Sequence, residues 1–209
     1  MDIYDYIETH ISREPDYLRR LERLSNLRMV HGRMCSGHLQ GRFLKMLTEM
    51  IAPLRVLELG TFTGYATLCL AEGAPANAVV DTIEIFDENE DFLKEVFAGS
   101  DYADKINLII GDAMQIMPGM ASGSYDLIFM DADKRLYPEY LEESKRLLRK
   151  GGYLIADNTL WDGHVIEADR NDAQTAGIKR FNDAVRKDSA LESVIIPLRD
   201  GITIIRKTD

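Results

Sequence analysis

From Arg55 onward the chain repeats one grammar: a short aliphatic or β-branched run, a turn, then an amphipathic stretch of helical spacing. The runs are RVLELG, AVVDTIEI, INLII, YDLIFMD and YLIADN. Strands that alternate with helical crossovers return to the same edge of a sheet, so these runs predict parallel strands in an α/β fold. The chain then closes with SVIIPL and GITIIRK, separated by Arg199, Asp200 and Gly201, where Asp-Gly marks a tight turn. That predicts a terminal β-hairpin. The first fifty residues read as helices instead: one from about Ile3 to Ile11, one opened by Pro15, and one from about Gly37 to Ile51, ending before Pro53. With 209 residues, 45% hydrophobic and 29% charged, and with no repeat or linker, the expectation is one domain over 1–209, a helical segment 1–52 preceding an α/β core 53–209.

Composition removes several classes of function. No apolar run approaches the ~20 residues needed to cross a bilayer, and the acidic start MDIYDYIETH lacks the features of a signal peptide, so a soluble cytoplasmic protein is expected. Two cysteines, Cys35 and Cys69, and four scattered histidines indicate neither a disulfide framework nor a zinc cluster. Any metal is therefore held by oxygen. A net charge of −10 argues against a broad nucleic-acid surface. The basic residues of LRRLERLSNLR, Leu18 to Arg28, read as the solvated face opposite a leucine stripe.

The segment VLELGTFTGYA, Val56 to Ala66, places Gly60 and Gly64 between the first strand and a helix from about Tyr65 to Glu72. Glycines let backbone approach a ligand, and a helix N-terminus offers free amides. The spacing Glu-Leu-Gly-x-x-x-Gly is not the Gly-x-Gly-x-x-Gly that cradles a dinucleotide pyrophosphate, so a nucleoside without pyrophosphate fits better. Glu84 ends the second strand, 24 positions after Gly60, where a carboxylate can take both hydroxyls of a ribose. Asp112, in GDAMQIMP after the third strand, has two readings: a partner for an adenine amino group, or an N-cap for the short helix that follows.

Two buried runs end abruptly on polar oxygen. YDLIFMDADK closes with Asp131, Asp133 and Lys134, and GGYLIADN closes with Asp157 and Asn158. If these strands are neighbours, they lie ~4.8 Å apart and their end side chains converge at the carboxyl edge, where such sheets bind ligands. Two carboxylates and one amide oxygen suit a hard cation, Mg²⁺ first, with Ca²⁺ or Mn²⁺ as alternatives. The competing reading makes the acids helix caps. Lys134 precedes a helix from about Tyr137 to Arg149, where the dipole disfavours a cation. Beside a bound hydroxyl it would act as general base or steady the oxyanion; otherwise it is a surface lysine. Met34, Cys35 and the lone Trp161 are candidates for an acceptor pocket, with packing beneath its loop as the alternative for Trp161.

In order along the chain, MCSGHLQGRFL, LELGTFTGYA, DADK, DNTLWDG and PLRDGITIIRK resemble the cation-dependent class I O-methyltransferases that include catechol and caffeoyl-CoA O-methyltransferases. The likeness spans roughly residues 30 to 207. It implies a Rossmann-like, doubly wound seven-stranded sheet with the last strand antiparallel, and a homodimer. It also implies S-adenosylmethionine as cofactor, lined by Glu58, Gly60, Tyr65, Ala66, Glu84, Asp112, Ala113 and Asp131. Asp131, Asp157 and Asn158 would hold Mg²⁺, Lys134 would be catalytic, and Asp133 would face the acceptor.

The resemblance implies methylation of one hydroxyl of a vicinal diol on a small phenolic ring. At Ala66 relatives commonly carry Ser, so one hydrogen bond to the methionine carboxylate is lost. The loop GHVIEADRNDAQT, Gly163 to Thr175, is short and carries three acids where the plant caffeoyl-CoA branch has a longer basic one, which weighs against a CoA thioester. A second branch methylates hydroxyuridine in transfer RNA; the acidic charge and DADK in place of DAAK count against it. A non-catalytic nucleoside-binding scaffold is disfavoured by the intact Lys134 and metal ligands.

Overall fold

A computed structural model describes residues 2–28 and 35–209. Seven strands form one sheet in the order β3-β2-β1-β4-β5-β7-β6. They are β1 (Arg55–Leu59), β2 (Val79–Glu84), β3 (Ile106–Ile110), β4 (Tyr125–Met130), β5 (Leu148–Asp157), β6 (Leu191–Ile196) and β7 (Ile202–Lys207). The first five pair in parallel and β7 pairs antiparallel with β5 and β6, as the alternation and the hairpin predict. Helices α1 (Ile3–His10), α2 (Asp16–Arg28) and α3 (Gly37–Ile51) precede the sheet. The crossovers carry α4 (Tyr65–Gly73), α5 (Glu90–Ala98), the short α6 (Ala113–Ile116), α7 (Tyr137–Leu147) and α8 (Ala173–Lys187). Among the described residues no helix is long and apolar enough to cross a membrane.

The continuous apolar runs follow from burial on both faces of the sheet. Leu57, Ile128, Met130 and Leu154 pack with Tyr137, Leu141, Ile178 and Phe181 of α7 and α8. Their neighbours Val56, Leu127, Phe129 and Ile155 point the other way and pack with Leu18, Leu44, Leu68 and Leu93 of α2 to α5. Each fully buried side chain of this size contributes ~1.5–3 kcal/mol, so neither helical layer is dispensable. One boundary differs from the sequence reading. Helix α7 stops at Leu147 and β5 begins at Leu148, earlier than YLIADN suggests. The extension passes through Gly151 at φ 77° and Gly152, where a Cβ would meet the Asp126 carbonyl oxygen at 3.1 Å. A side chain at Gly152 would crowd this close pairing with β4.

Register places the site. Met130 pairs with Ala156 and Leu59 with Met130, so the next residues, Gly60, Asp131 and Asp157, emerge side by side at one edge. The hairpin turn is fastened to that edge: the Thr159 N–H donates to the Gly201 carbonyl (3.0 Å) and the Leu160 N–H to that of Asp200 (2.9 Å). Gly201 sits at φ 87°, and a Cβ there would lie 2.4 Å from Leu160. Arg199 and Asp200 are thereby brought to the strand ends.

Glu58 lies on the Val56 face of β1 and is fully buried. Its Oε2 accepts from Thr67 and from Thr82 (2.6 Å), while Oε1 has no partner. Burial pushes its carboxyl up to about 8, against those two hydrogen bonds. A raised acid binds its proton more tightly in the folded chain, so its contribution to stability is complete below the unfolded value of 4.5 and declines as pH rises towards 8. Glu58→Gln mimics the protonated form. Urea unfolding should show the variant gaining on the wild type between pH 5 and pH 8, by at most about 1.4 kcal/mol per pH unit. A constant difference across that range would mean that Glu58 is ionised in the core.

Candidate active site

One wall of the site is the turn from β1 into α4. Gly60 (φ 94°) and Gly64 (φ 81°) adopt the left-handed region, and space demands glycine as strictly as torsion does. A Cβ on Gly60 would lie 2.2 Å from the Asp131 carbonyl oxygen, and one on Gly64 would lie 2.6 Å from the Phe97 ring. The turn therefore lies flush against the end of β4. Glu84, 3% exposed, ends β2 and accepts the Phe62 N–H at Oε2 (2.8 Å) and the Phe86 N–H at Oε1 (3.0 Å). Two backbone donors fix this carboxylate, and each oxygen retains acceptor capacity for a ligand hydroxyl. After β3, Asp112 caps α6 by accepting the Met114 N–H at Oδ1 (2.9 Å). That is the helix-capping alternative of the two readings. Its neighbours Gly111 and Ala113 face the cavity.

The adjoining wall is built from the ends of β4 and β5. Asp157 is buried; its Oδ1 accepts the Asn158 N–H (2.7 Å) and its Oδ2 accepts Nε2 of Gln40 (2.6 Å). Burial first, and the Asp131 carboxylate second, push its carboxyl up to about 6. Asn158 closes the strand at φ 57°, a conformation that asparagine tolerates better than most residues. Lys134 is 8% exposed, which removes the surface-lysine alternative. Its Nζ donates to Oδ1 of Asp131 (2.6 Å) and to the Tyr137 hydroxyl (2.9 Å). That hydroxyl donates in turn towards the carbonyl oxygens of Met130 (3.1 Å) and Asp157 (2.9 Å). Burial disfavours the Lys134 ammonium, but Asp131 and Tyr137 outweigh it and raise its pKa above the ordinary lysine value.

Both walls border one cavity of about 730 Å³. Gly60, Glu84 and Ala113 line one part of it; Asp131, Lys134, Asp157 and Asn158 line another, together with Asp133 and Trp161. Trp161 lines this cavity and also packs on the α7–α8 core. Asp133 is tied to Arg135, which holds its carboxyl below the usual range.

Other expectations are not matched by side-chain positions. Glu58 hangs between β1, β2 and α4 rather than into the cavity. The Tyr65 ring turns towards α3, where a Cβ on Gly41 would meet it at 2.7 Å, and its hydroxyl donates to Glu14. Ala66 belongs to the same core layer. The reason is common to these three: residues at the end of β1 and the start of α4 serve helix–sheet packing, and only the intervening turn meets the cavity. Cys35 is buried in that layer, and Met34 lies outside the described residues.

Several lining residues escaped the sequence reading. Ile85 and Phe86 follow Glu84 directly and remain 59% and 61% exposed at the cavity rim. An apolar pair immediately after a strand-ending acid was the available signal. Phe62, Tyr140, Gln174, Arg199 and Asp200 are others. Gln40 gave no local signal, since it meets Asp157 across 117 residues of sequence.

The donor chemistry fits a hard cation. Among the described residues no group of three or more His, Cys, Asp or Glu is placed to hold a metal. The set at this edge is two carboxylates completed by the Asn158 amide oxygen, with no sulfur or imidazole. The Asp131 carboxylate disfavours ionisation of Asp157, and a divalent charge between them would relieve that.

Comparison with known proteins agrees with this architecture. A family profile described as O-methyltransferase matches residues 8–208. Caffeoyl-CoA O-methyltransferase 1 of Zea mays is 30% identical over 99% of this chain and 84% of its own length. Catechol O-methyltransferase of Niastella koreensis is 30% identical over 76% of this chain and 73% of its own. The solved structure of the O-methyltransferase TomG from Streptomyces achromogenes, in complex with SAM, superposes with a TM-score of 0.90 at 26% identity, covering 98% of this chain and 95% of that one. With the glycine turn, the strand-end acids and these likenesses together, the chain belongs to the O-methyltransferase family and is an S-adenosylmethionine-dependent O-methyltransferase.

Proposed function

We propose that this methyltransferase requires a divalent cation, Mg²⁺ first, and methylates one hydroxyl of a catechol-like vicinal diol on a small aromatic acceptor. The observation that carries this reading is the strand-end cluster: Asp131 and Asp157 in register on β4 and β5, with Lys134 buried between Asp131 and Tyr137 and open to the same cavity as Glu84. Asp131, Asp157 and Asn158 would hold the cation, which when bound supplies charge that acidifies a coordinated hydroxyl.

The remaining work falls to side chains of this chain. Glu84 takes the ribose hydroxyls and sets the cofactor's position along the cavity. Two N–H directions of the Lys134 ammonium are used by Asp131 and Tyr137, and the third is free for the acceptor oxygen, where it steadies the oxyanion left once the acidified hydroxyl has released its proton to solvent through the open cavity. That oxygen attacks the methyl carbon of the sulfonium: an O–C bond forms, the C–S bond breaks with its electron pair passing to sulfur, and S-adenosylhomocysteine leaves as the neutral thioether.

The acceptor class is supported by the relatives named for catechol and caffeoyl-CoA, since the caffeoyl ring is itself a catechol. The loop after β5 favours a small acceptor over a CoA thioester. Its one lysine or arginine, Arg170, is engaged with Asp172 (3.0 Å), and Lys179 of the adjoining α8 donates to the carbonyl oxygens of Glu167 (2.6 Å) and Arg170 (2.9 Å). Few cations are left to meet phosphates.

Chelation of the purified enzyme should abolish transfer to catechol and Mg²⁺ should restore it, with product identified by mass. Asp157→Ala should lower the Mg²⁺-dependent rate by about two orders of magnitude or more, because a Lewis acid supplies several kcal/mol of transition-state stabilisation. Full turnover after exhaustive chelation, or an undiminished rate in the variant, would make these acids structural.

Lys134→Met keeps the aliphatic stem and deletes the charge. Single-turnover transfer should slow by ~10²–10³-fold, the range for losing one oxyanion donor, with acceptor and cofactor affinity little changed. Raising the pH should recover part of the rate, because a more ionised acceptor needs less help. A wild-type rate at every pH would remove Lys134 from the chemistry.

A further inference from the structure

We propose that Gln40 is the positioning residue that presents Asp157 to a divalent cation, and that Arg199 locks it in the donating orientation. This rests on the cation reading above and extends it to Gln40 and Arg199, which lie within MCSGHLQGRFL and PLRDGITIIRK but were assigned no role there.

Gln40 lies in the first turn of α3, 1% exposed. Its Nε2 donates to Oδ2 of Asp157 (2.6 Å), and its Oε1 accepts from Nη1 of Arg199 (3.3 Å). A glutamine amide can be turned end for end, but here the partners decide. Guanidinium only donates and an ionised carboxylate only accepts, so the flipped amide would face two like ends. Arg199 is itself fixed, because the same Nη1 donates to the carbonyl oxygens of Cys35 (3.0 Å) and Ser36 at the entry to α3. It stands at φ 49° in the hairpin turn that is fastened to the loop after β5.

The consequence is a carboxylate with both oxygens held by one donor each: Oδ2 by Gln40 and Oδ1 by the Asn158 N–H (2.7 Å). Its plane is set, while each oxygen retains acceptor capacity. Glutamate at position 40 would be almost the same size but would bring a third carboxylate and no donor. Glutamine supplies the donor without adding charge. Three distant segments, the start of α3, the end of β5 and the terminal hairpin turn, therefore converge on one ligand oxygen.

The test reads cation binding directly, without turnover. Metal-free enzyme is titrated with Mn²⁺ and free Mn²⁺ is followed by electron paramagnetic resonance. Gln40→Met should weaken binding ~10–100-fold, the usual cost of removing a hydrogen-bond partner from a metal ligand. Arg199→Met should weaken it less, and should add nothing in the double variant if it acts through Gln40. Calorimetry should find S-adenosylhomocysteine affinity unchanged in Gln40→Met, since Glu84 lies in another wall. Wild-type Mn²⁺ affinity in folded Gln40→Met, or an Arg199→Met effect that persists in full in the double variant, overturns the inference alone. Should Gln40→Met fail to fold, Arg199→Met decides, because Arg199 is exposed; unaltered binding there overturns the inference. Wild-type enzyme that takes up no Mn²⁺ overturns the cation reading and this inference with it.

Discussion

Two carboxylates at the ends of adjacent parallel strands repel, and much of the polar construction at this edge of the sheet contains that repulsion. The pairing of Met130 with Ala156 leaves no freedom in the matter: the next residue on each strand is an aspartate. Lys134 neutralises one of them from a buried position, and Tyr137 holds that ammonium while donating to the backbone of both strands. Gln40 and the Asn158 N–H hold the other. Such an arrangement costs stability unless it has a use, because a helix-facing core of the same volume could be made wholly apolar. In the proposed function, binding a cation and a methyl acceptor is that use.

The second dependence is on backbone clearance. Gly60 has to pass within contact of the Asp131 carbonyl, so the turn that meets the cofactor and the strand that carries the acids are built against each other. Glu84 is held by amides on both sides of the same region, one from the turn at Phe62 and one from Phe86. In the proposed function, the two halves of the reaction, cofactor grip and acceptor activation, thus share a rigid backbone rather than flexible side chains. That is the condition under which a sulfonium methyl and an oxygen nucleophile can be held in line.

How much of this was legible beforehand depended on the range of the interaction. Periodicity and turn chemistry are local, so the parallel strands, the helical start and the terminal hairpin could be read directly, as could the acids at strand ends. Burial is not local. Of the two readings of Lys134, the surface one is removed only when α7 and α8 are packed around it, and Tyr65 reads as lining the cofactor until α3 crosses it. Glu58 sits in the motif yet turns towards Thr67 and Thr82, because strand alternation assigns it to the layer beneath the turn. Gln40 and Arg199 stand in quoted motifs, but their contacts were invisible for a simpler reason: the partners lie more than a hundred residues away.

The central claim is that Asp131, Asp157 and Asn158 converge on one cation. The most direct measurement is anomalous diffraction at the manganese edge from crystals grown with Mn²⁺ and S-adenosylhomocysteine. The account predicts a single strong peak bounded by the side-chain oxygens of those three residues, at bonding distance from each and in the cavity that Lys134 lines. Well-ordered crystals with no anomalous peak there, and with the Asp131–Lys134 pair intact in the presence of saturating Mn²⁺, would contradict it.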